Sequence, residues 1–418
     1  MTFSSVYLAL SIINLVFVLS ALIKARRLSY LVVFYFAASW LTGELAFVFL
    51  SLQIALTLLF ALGGGLAGGA GQLGLGLFAL SWLGLLYLHC KSMDTATVLE
   101  AALQEGLGED YRSEIPPSRQ QVLRAGIVSA EWLRPFSMKR PGVSLHRNLS
   151  YAGDGEDFGE RNLLDVYQPQ TPREGGFPIL LQVHGGGWVI GNKEQQALPL
   201  MYHLAQRGWL CVACNYRLSP KHTFPAHIID VKRAIAWVRE HAAEYGGDPS
   251  FLAITGGSAG GHLSALAALT PNKPDWQPGF EDADTSISAA VPFYGVYDFL
   301  DRDQVRGKMS MESTLEKYVF QNSREEGYEA RDDGSPLSHA GDGAPPAFVV
   351  QGTHDSLVWV EEARIFVERL RSESGNAVVY GELPYAQHAF DVFHSVRTDY
   401  TVNAVTEFLE WCHARRAT

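Results

Sequence analysis

FLAITGGSAGGHLSALAAL, residues 251–269, passes from a short β-prone run through a serine among glycines into an apolar, helix-forming stretch. Within it, Gly256-Gly257-Ser258-Ala259-Gly260 fits G-x-S-x-G, flanked by the strand and helix which that motif requires. The reason for the glycines is steric. A nucleophile on a tight strand-to-helix turn needs neighbours without a Cβ, so that its Oγ stands free above the sheet. As a bare string the motif arises easily in a chain with 40 glycines; its place between strand and helix gives it weight.

On either side, VSLHRNLSY (143–151), LLDVYQ (163–168), ILLQVH (179–184), WLCVACNY (209–216), AAVPFY (289–294), AFVVQG (347–352) and AVVYGEL (377–383) read as further strands. Amphipathic helical patterns follow several of them, at 227–245, 359–372 and 402–416. This alternation implies a mostly parallel α/β sheet flanked by helices over 143–418, with 299–334 as a candidate cap insertion.

A serine hydroxyl becomes a nucleophile only when a base oriented by a carboxylate removes its proton. Asp355 falls just past the strand AFVVQG, and His388 falls on the loop after AVVYGEL, in the chain order serine, acid, base. His262 lies four residues after Ser258, but a side chain there projects into the helix's packing surface. Earlier, VHGGGWVIG (183–191) leaves a strand through three glycines whose bared N–H groups suit a phosphate, an oxyanion or only a turn. No G-K-[ST] follows and no G-x-G-x-x-G opens a helix, which disfavours phosphate. With Ser258 in place, the oxyanion donors are expected to be Gly186, Gly187 and Ala259, leaving Gly185 to the turn and His184 to hold the loop. Trp188, Tyr216, Phe293 and Tyr294 are candidate pocket walls, although core packing explains each as well.

HGGGW (184–188), NYRLSP (215–220), GGSAGG (256–261), GTHDSLV (352–358) and AQHAFD (386–391) together resemble the hormone-sensitive-lipase-like branch of the α/β-hydrolases, over about 143–416. That branch includes bacterial carboxylesterases and arylacetamide deacetylases. The resemblance implies the α/β-hydrolase fold and serine carboxylester hydrolysis without metal or organic cofactor. It assigns nucleophile, acid and base to Ser258, Asp355 and His388. Two departures leave the substrate open: Gly257 stands where Asp or Glu is frequent, and NYRLSPK replaces NYRLAPE. A carboxylesterase or lipase acting on apolar or lipid-like esters is expected, with an amide hydrolase as the alternative and a catalytically silent binding protein behind both.

Composition bounds the partners. The net charge of −11, without clustered Lys and Arg, argues against nucleic acid. Cys211 and Cys214 form a C-x-x-C in a strand-like run, where residues three apart face opposite ways, so a redox or metal pair is not expected. Val6–Ile23 carries no charge, and between Leu28 and Cys90 the ionisable side chains other than tyrosines and Cys90 are Glu44 and His89. This is membrane composition. The basic residues Lys24, Arg26 and Arg27 follow the first apolar run instead of preceding it, unlike a cleaved signal. Breaks at TGE (42–44), at the glycine-rich 63–76 and at Lys91 suggest four membrane passes in 1–91, or three with one broken near Glu44. The 24–27 loop should be cytoplasmic; four passes then place the large domain outside, three inside. Glu44 reads as a helix-end residue, and a transporter would need more intramembrane polar groups. Residues 92–142 read as a linker with a short helix; the oligomeric state is open.

Overall fold

The computed structural model describes residues 2–24, 31–123, 129–153, 158–306 and 311–416. Eight strands form one sheet: β1 Val143–Ser150, β2 Leu163–Pro169, β3 Phe177–Val183, β4 Leu210–Cys214, β5 Gly247–Gly257, β6 Ala289–Phe293, β7 Ala347–Gly352 and β8 Val378–Leu383. Each coincides with a run read as a strand from sequence. Their order is β1-β2-β4-β3-β5-β6-β7-β8, parallel from β4 to β8, with β2 antiparallel to both its neighbours.

Every residue of β3, β4, β6 and β7 is buried, because helices cover both faces of the parallel part. The helices are α1 Phe3–Leu22, α2 Val32–Glu44, α3 Ala46–Leu62, α4 Gly68–Leu107, α5 Pro117–Leu123, α6 Leu198–Gln206, α7 Ala226–His241, α8 Ala259–Leu269, α9 Met311–Thr314, α10 Tyr328–Asp333, α11 Val360–Glu373 and α12 Val396–Arg415. Side chains alternate across the strands. Leu180 of β3 joins Leu103 of α4 and Phe408 of α12 in one cluster, while its neighbours Ile179 and Leu181 join Ile235 of α7 and Leu263 of α8 in another.

The N-terminal region departs from expectation in two ways. First, α4 does not end at Lys91 but continues to Leu107, 40 residues in all. At about 1.5 Å per residue that is roughly 60 Å, twice a bilayer core. Its second half is a sheet-covering element: Leu99, Ala102 and Leu103 are core residues, and Gly106 lies against Val379 of β8. The expected linker at 92–142 therefore begins only after Leu107, with α5 as its short helix. Second, four passes are not found: among the described residues α1 and α4 are long and apolar enough to cross a membrane, and α2 with α3, bent by 87° at their junction, makes a third candidate. The 13 residues of α2 reach about 20 Å, short of the roughly 30 Å needed. Of the basic loop, Arg26 and Arg27 lie outside the described residues.

The apolar helices and the sheet domain are joined by buried polar contacts. Glu44, at the end of α2, accepts from Arg397 of α12 at 3.0 Å and from Ser395 at 3.1 Å, so it is a helix-end anchor. The segment expected as a cap, 299–334, contains α9, a π-helical turn at 315–319 and α10; its Phe299, Leu315, Val319 and Phe320 pack with Trp188 and Phe224.

Candidate active site

Ser258 sits between β5 and α8 with φ 60° and ψ −122°, a conformation that L-residues seldom hold. Its N–H donates to Phe293 O at 3.0 Å, tying the strained turn to the end of β6. The departure at position 257 has a local reason. A Cβ on Gly257 would stand 2.6 Å from Tyr294 Oη and 2.8 Å from Cε2 of that ring. Tyr294 Oη in turn hydrogen-bonds the buried Asp391 carboxylate, so a tyrosine–aspartate pair fills the space beside the serine. Burial first, then the neighbouring Asp391 charge, push the Tyr294 hydroxyl well above its usual pKa.

Asp355 and His388 come from the loops after β7 and β8. Asp355 Oδ1 accepts from Leu357 N and Val358 N, both at 2.8 Å, and its Oδ2 accepts from Gln351 Nε2 at 3.0 Å and pairs with His388 Nδ1 at 2.7 Å. Four donors thus fix the carboxylate and, through it, the ring. His388 and Ser258 line the same cavity, about 590 Å³ in volume, together with Gly186 and Gly187. Among the described residues no hydrogen bond joins Ser258 Oγ to His388, a contact that in unliganded sites is often long and tightens with substrate.

The glycine loop crosses the same wall. Gly185 N donates to Gln196 Oε1 at 2.6 Å, whereas no acceptor within the described residues takes the amides of Gly186, Gly187 or Ala259. His184 stacks on Tyr216, with ring centroids 4.3 Å apart, and its Nδ1 bonds Gly185 O at 2.8 Å. Burial pushes His184 down to about 4, so the ring is neutral. His262 likewise is a structural residue: its Nδ1 accepts from Trp188 Nε1 at 3.2 Å, its Nε2 donates to Gly334 O at 2.7 Å, and burial lowers it to about 3.

Of the four pocket walls expected from sequence, Trp188 and Tyr294 line the cavity, and Tyr216 and Phe293 do not. Tyr216 lies beneath the loop and donates to His184 O at 3.0 Å. Phe293, the last residue of β6, packs in the core against Phe390, with ring centroids 6.1 Å apart. What sequence reasoning missed comes from α2: Val32, Phe36 and Trp40 form a wall of the cavity. Nothing local marks them, since their stripe is lost in an apolar background.

Among the described residues one group of side chains, Glu131, His394 and Asp399, is close enough to share a metal ion, with ligand atoms within 4.8 Å of one another. Its members are engaged within the protein: His394 Nδ1 bonds Asp399 Oδ1 at 2.9 Å, and Arg140 bonds His394 Nε2 at 3.0 Å and pairs with Glu131. Cys211 and Cys214 are free thiols buried in β4, both pushed up by burial.

A mostly parallel sheet of this order, with a serine turn, a glycine loop and an Asp–His pair gathered on one apolar cavity, defines an α/β-hydrolase. Comparison with known proteins agrees. A family model described as BD-FAE matches residues 164–370. Probable carboxylic ester hydrolase LipM of Mycobacterium tuberculosis is 48% identical over 347 residues, covering 80% of this chain and 77% of its own. Esterase LipQ of the same organism is 42% identical over 329 residues, 76% of this chain and 75% of that one. Esterase 2 of Thermogutta terrifontis, solved with propionate bound, is similar in structure with a TM-score of 0.51 at 26% identity, over 64% of this chain and 92% of that one. The chain belongs to the family of carboxylic ester hydrolases that includes LipM and LipQ.

Proposed function

We propose that this carboxylic ester hydrolase is a membrane-anchored serine esterase that cleaves apolar or lipid-like esters through an acyl-enzyme on Ser258. His388 takes the Ser258 proton as Oγ attacks the ester carbonyl, Asp355 holds the imidazolium, and the amides of Gly186, Gly187 and Ala259 receive the oxyanion. His388 then returns the proton to the departing alcohol, and water releases the acid by the same route. The observation that carries this reading is the shared cavity: the serine, the histidine and two uncommitted loop amides line one chamber, whose remaining wall is mostly apolar, with Gln195, Gln196, Arg306, Thr314 and Ser356 as its polar part. Its volume of about 590 Å³ suits a ligand with a sizeable apolar part.

The arrangement of α1, α3 and α4 supports three spans and a cytoplasmic catalytic domain, against the outer side favoured by a count of four. Lys24, at the end of α1, stands 3.9 Å from Glu361 of α11, so the basic loop begins on the catalytic side. Phe3 at the other end of α1 lies beside Gly63, where α3 ends, and Ser4 Oγ donates to Ala67 O just before α4. Basic loops remain on the cytoplasmic face. A reporter fused after Thr418 tests this side. An ester series of graded acyl length, run beside matching amides, tests the chemistry: turnover should rise from acetyl to longer chains and exceed that of the amides. Faster amide cleavage would instead favour an amidase.

A further inference from the structure

Helix α2 is too short to span a bilayer, yet it is seated against the catalytic loops. Val32, Phe36 and Trp40 recur every four residues, so they share one face, and all three line the cavity. Val33 and Phe34, on other faces, are 72% and 62% exposed. The Phe36 ring meets the His388 ring edge-on at 6.2 Å between centroids. Trp40 Nε1 donates to Ala389 O at 2.9 Å, and Ala389 holds a positive φ of 58° directly after the histidine.

A second link runs through Gln387. Its Oε1 accepts from Ser356 N at 2.7 Å and from His388 N at 2.9 Å, so one amide oxygen clamps the residues next to the acid and the backbone of the base. Its Nε2 donates to Ser39 Oγ of α2 at 2.8 Å, and Ser39 Oγ passes its own proton to Tyr35 O at 2.7 Å. Ser39 and Gln387 are both buried, so no bulk water replaces either bond. Without the serine hydroxyl, the Gln387 amide has nothing to hold its nitrogen end.

We propose that α2 is part of the ester-hydrolysing site: Ser39, through Gln387, positions the His388 loop, and Phe36 and Trp40 form the wall against which the substrate's apolar group lies. The proposal rests on Ser258 and His388 acting as described above. A helix of the apolar N-terminal region thereby sets both base geometry and chain-length preference, which makes that region more than an anchor.

The test uses the full chain in detergent, with p-nitrophenyl acetate and p-nitrophenyl dodecanoate. Ser39→Ala should lower kcat for both esters by on the order of tenfold to a hundredfold with KM little changed, and Ser39→Thr, which keeps the hydroxyl, should recover most of it. Trp40→Phe keeps an aromatic, though smaller, side chain but removes the bond to Ala389, and should also lower kcat. Phe36→Ala should raise KM for the dodecanoate and not for the acetate. A merely structural Ser39 would shift thermal stability without this split between kcat and KM. If Ser39→Ala and Trp40→Phe, both folded by melting, keep kcat within about twofold of wild type, the role of α2 is overturned. Wild-type labelling by a fluorophosphonate separates the two claims: absence of labelling would sink the serine mechanism, whereas normal labelling with unaffected α2 variants would sink only this proposal.

Discussion

Replacing Gly186 by alanine probes the glycine loop at its most constrained point. Gly186 has φ +119°, a region that L-residues rarely enter, and a Cβ there would collide with the Ile190 carbonyl group, whose carbon would lie 2.7 Å away. These are backbone atoms of the same loop and cannot swing aside. The turn that runs from Gly186 to Ile190, held by Val189 N and Ile190 N donating to Gly186 O at 3.1 and 3.0 Å, must therefore open. Opening it moves the Gly186 and Gly187 amides away from the place proposed for the oxyanion. Loss of one such donor costs about 3–4 kcal/mol in the transition state, so kcat should fall by about a hundredfold to a thousandfold while KM changes little. Gly187 supplies the comparison: its φ is +60° and a Cβ there meets nothing within 4 Å. Gly187→Ala should therefore be milder, losing about 1–2 kcal/mol of stability to the left-handed backbone. The assay is ester turnover normalised to fluorophosphonate-titrated sites, with thermal melting in parallel. If Gly186→Ala turned over ester as fast as Gly187→Ala, the assignment of the loop amides would be wrong.

Other perturbations test neighbouring parts of the account. Glu44→Ala leaves Arg397 charged and buried without its carboxylate, and should destabilise the junction between α2 and α12 by about 3–5 kcal/mol, measured by denaturant unfolding; an effect under about 1 kcal/mol would contradict the anchoring role. Gly257→Asp, which introduces the residue frequent in related motifs, should drive Tyr294 off Asp391 and cost about 1–3 kcal/mol; a variant as stable and active as wild type would refute the steric explanation. His184, His227 and His262 are lowered from 6.5 to about 4, 3 and 3 by burial, so below pH 6.5 the unfolded chain binds protons that the folded chain refuses. Stability should be full above that value and fall progressively as the pH drops toward 4, as read from urea midpoints; a flat profile would mean these rings are not buried and neutral.

The sheet was legible because each strand is a short apolar run bounded by turn residues, and because parallel strands covered on both faces tolerate few polar positions. The placement of Ser258, Asp355 and His388 just past strand ends was legible for a related reason, since turn residues mark where each strand stops. Tyr216 and Phe293 were misplaced because an aromatic beside a motif says nothing of the face it occupies; Tyr294, just past the end of β6, turns at a positive φ of 36° that the sequence does not announce. Segments 32–44 and 68–107 were harder. In an all-apolar stretch periodicity vanishes, so sequence does not say which face of α2 packs on what, nor that α4 outlasts Lys91 to become a covering helix for β8. The Ser39–Gln387 bond joins residues far apart in the chain, and neither side chain has a local signature.

Ser258, activated by His388, is the proposed nucleophile of this ester hydrolase. Full-length protein should react with a fluorophosphonate probe at Ser258, located by peptide mapping, and both labelling and ester turnover should be lost in Ser258→Ala and strongly reduced in His388→Ala. Labelling and turnover that persist in Ser258→Ala, or a folded wild-type protein that never labels, would contradict it.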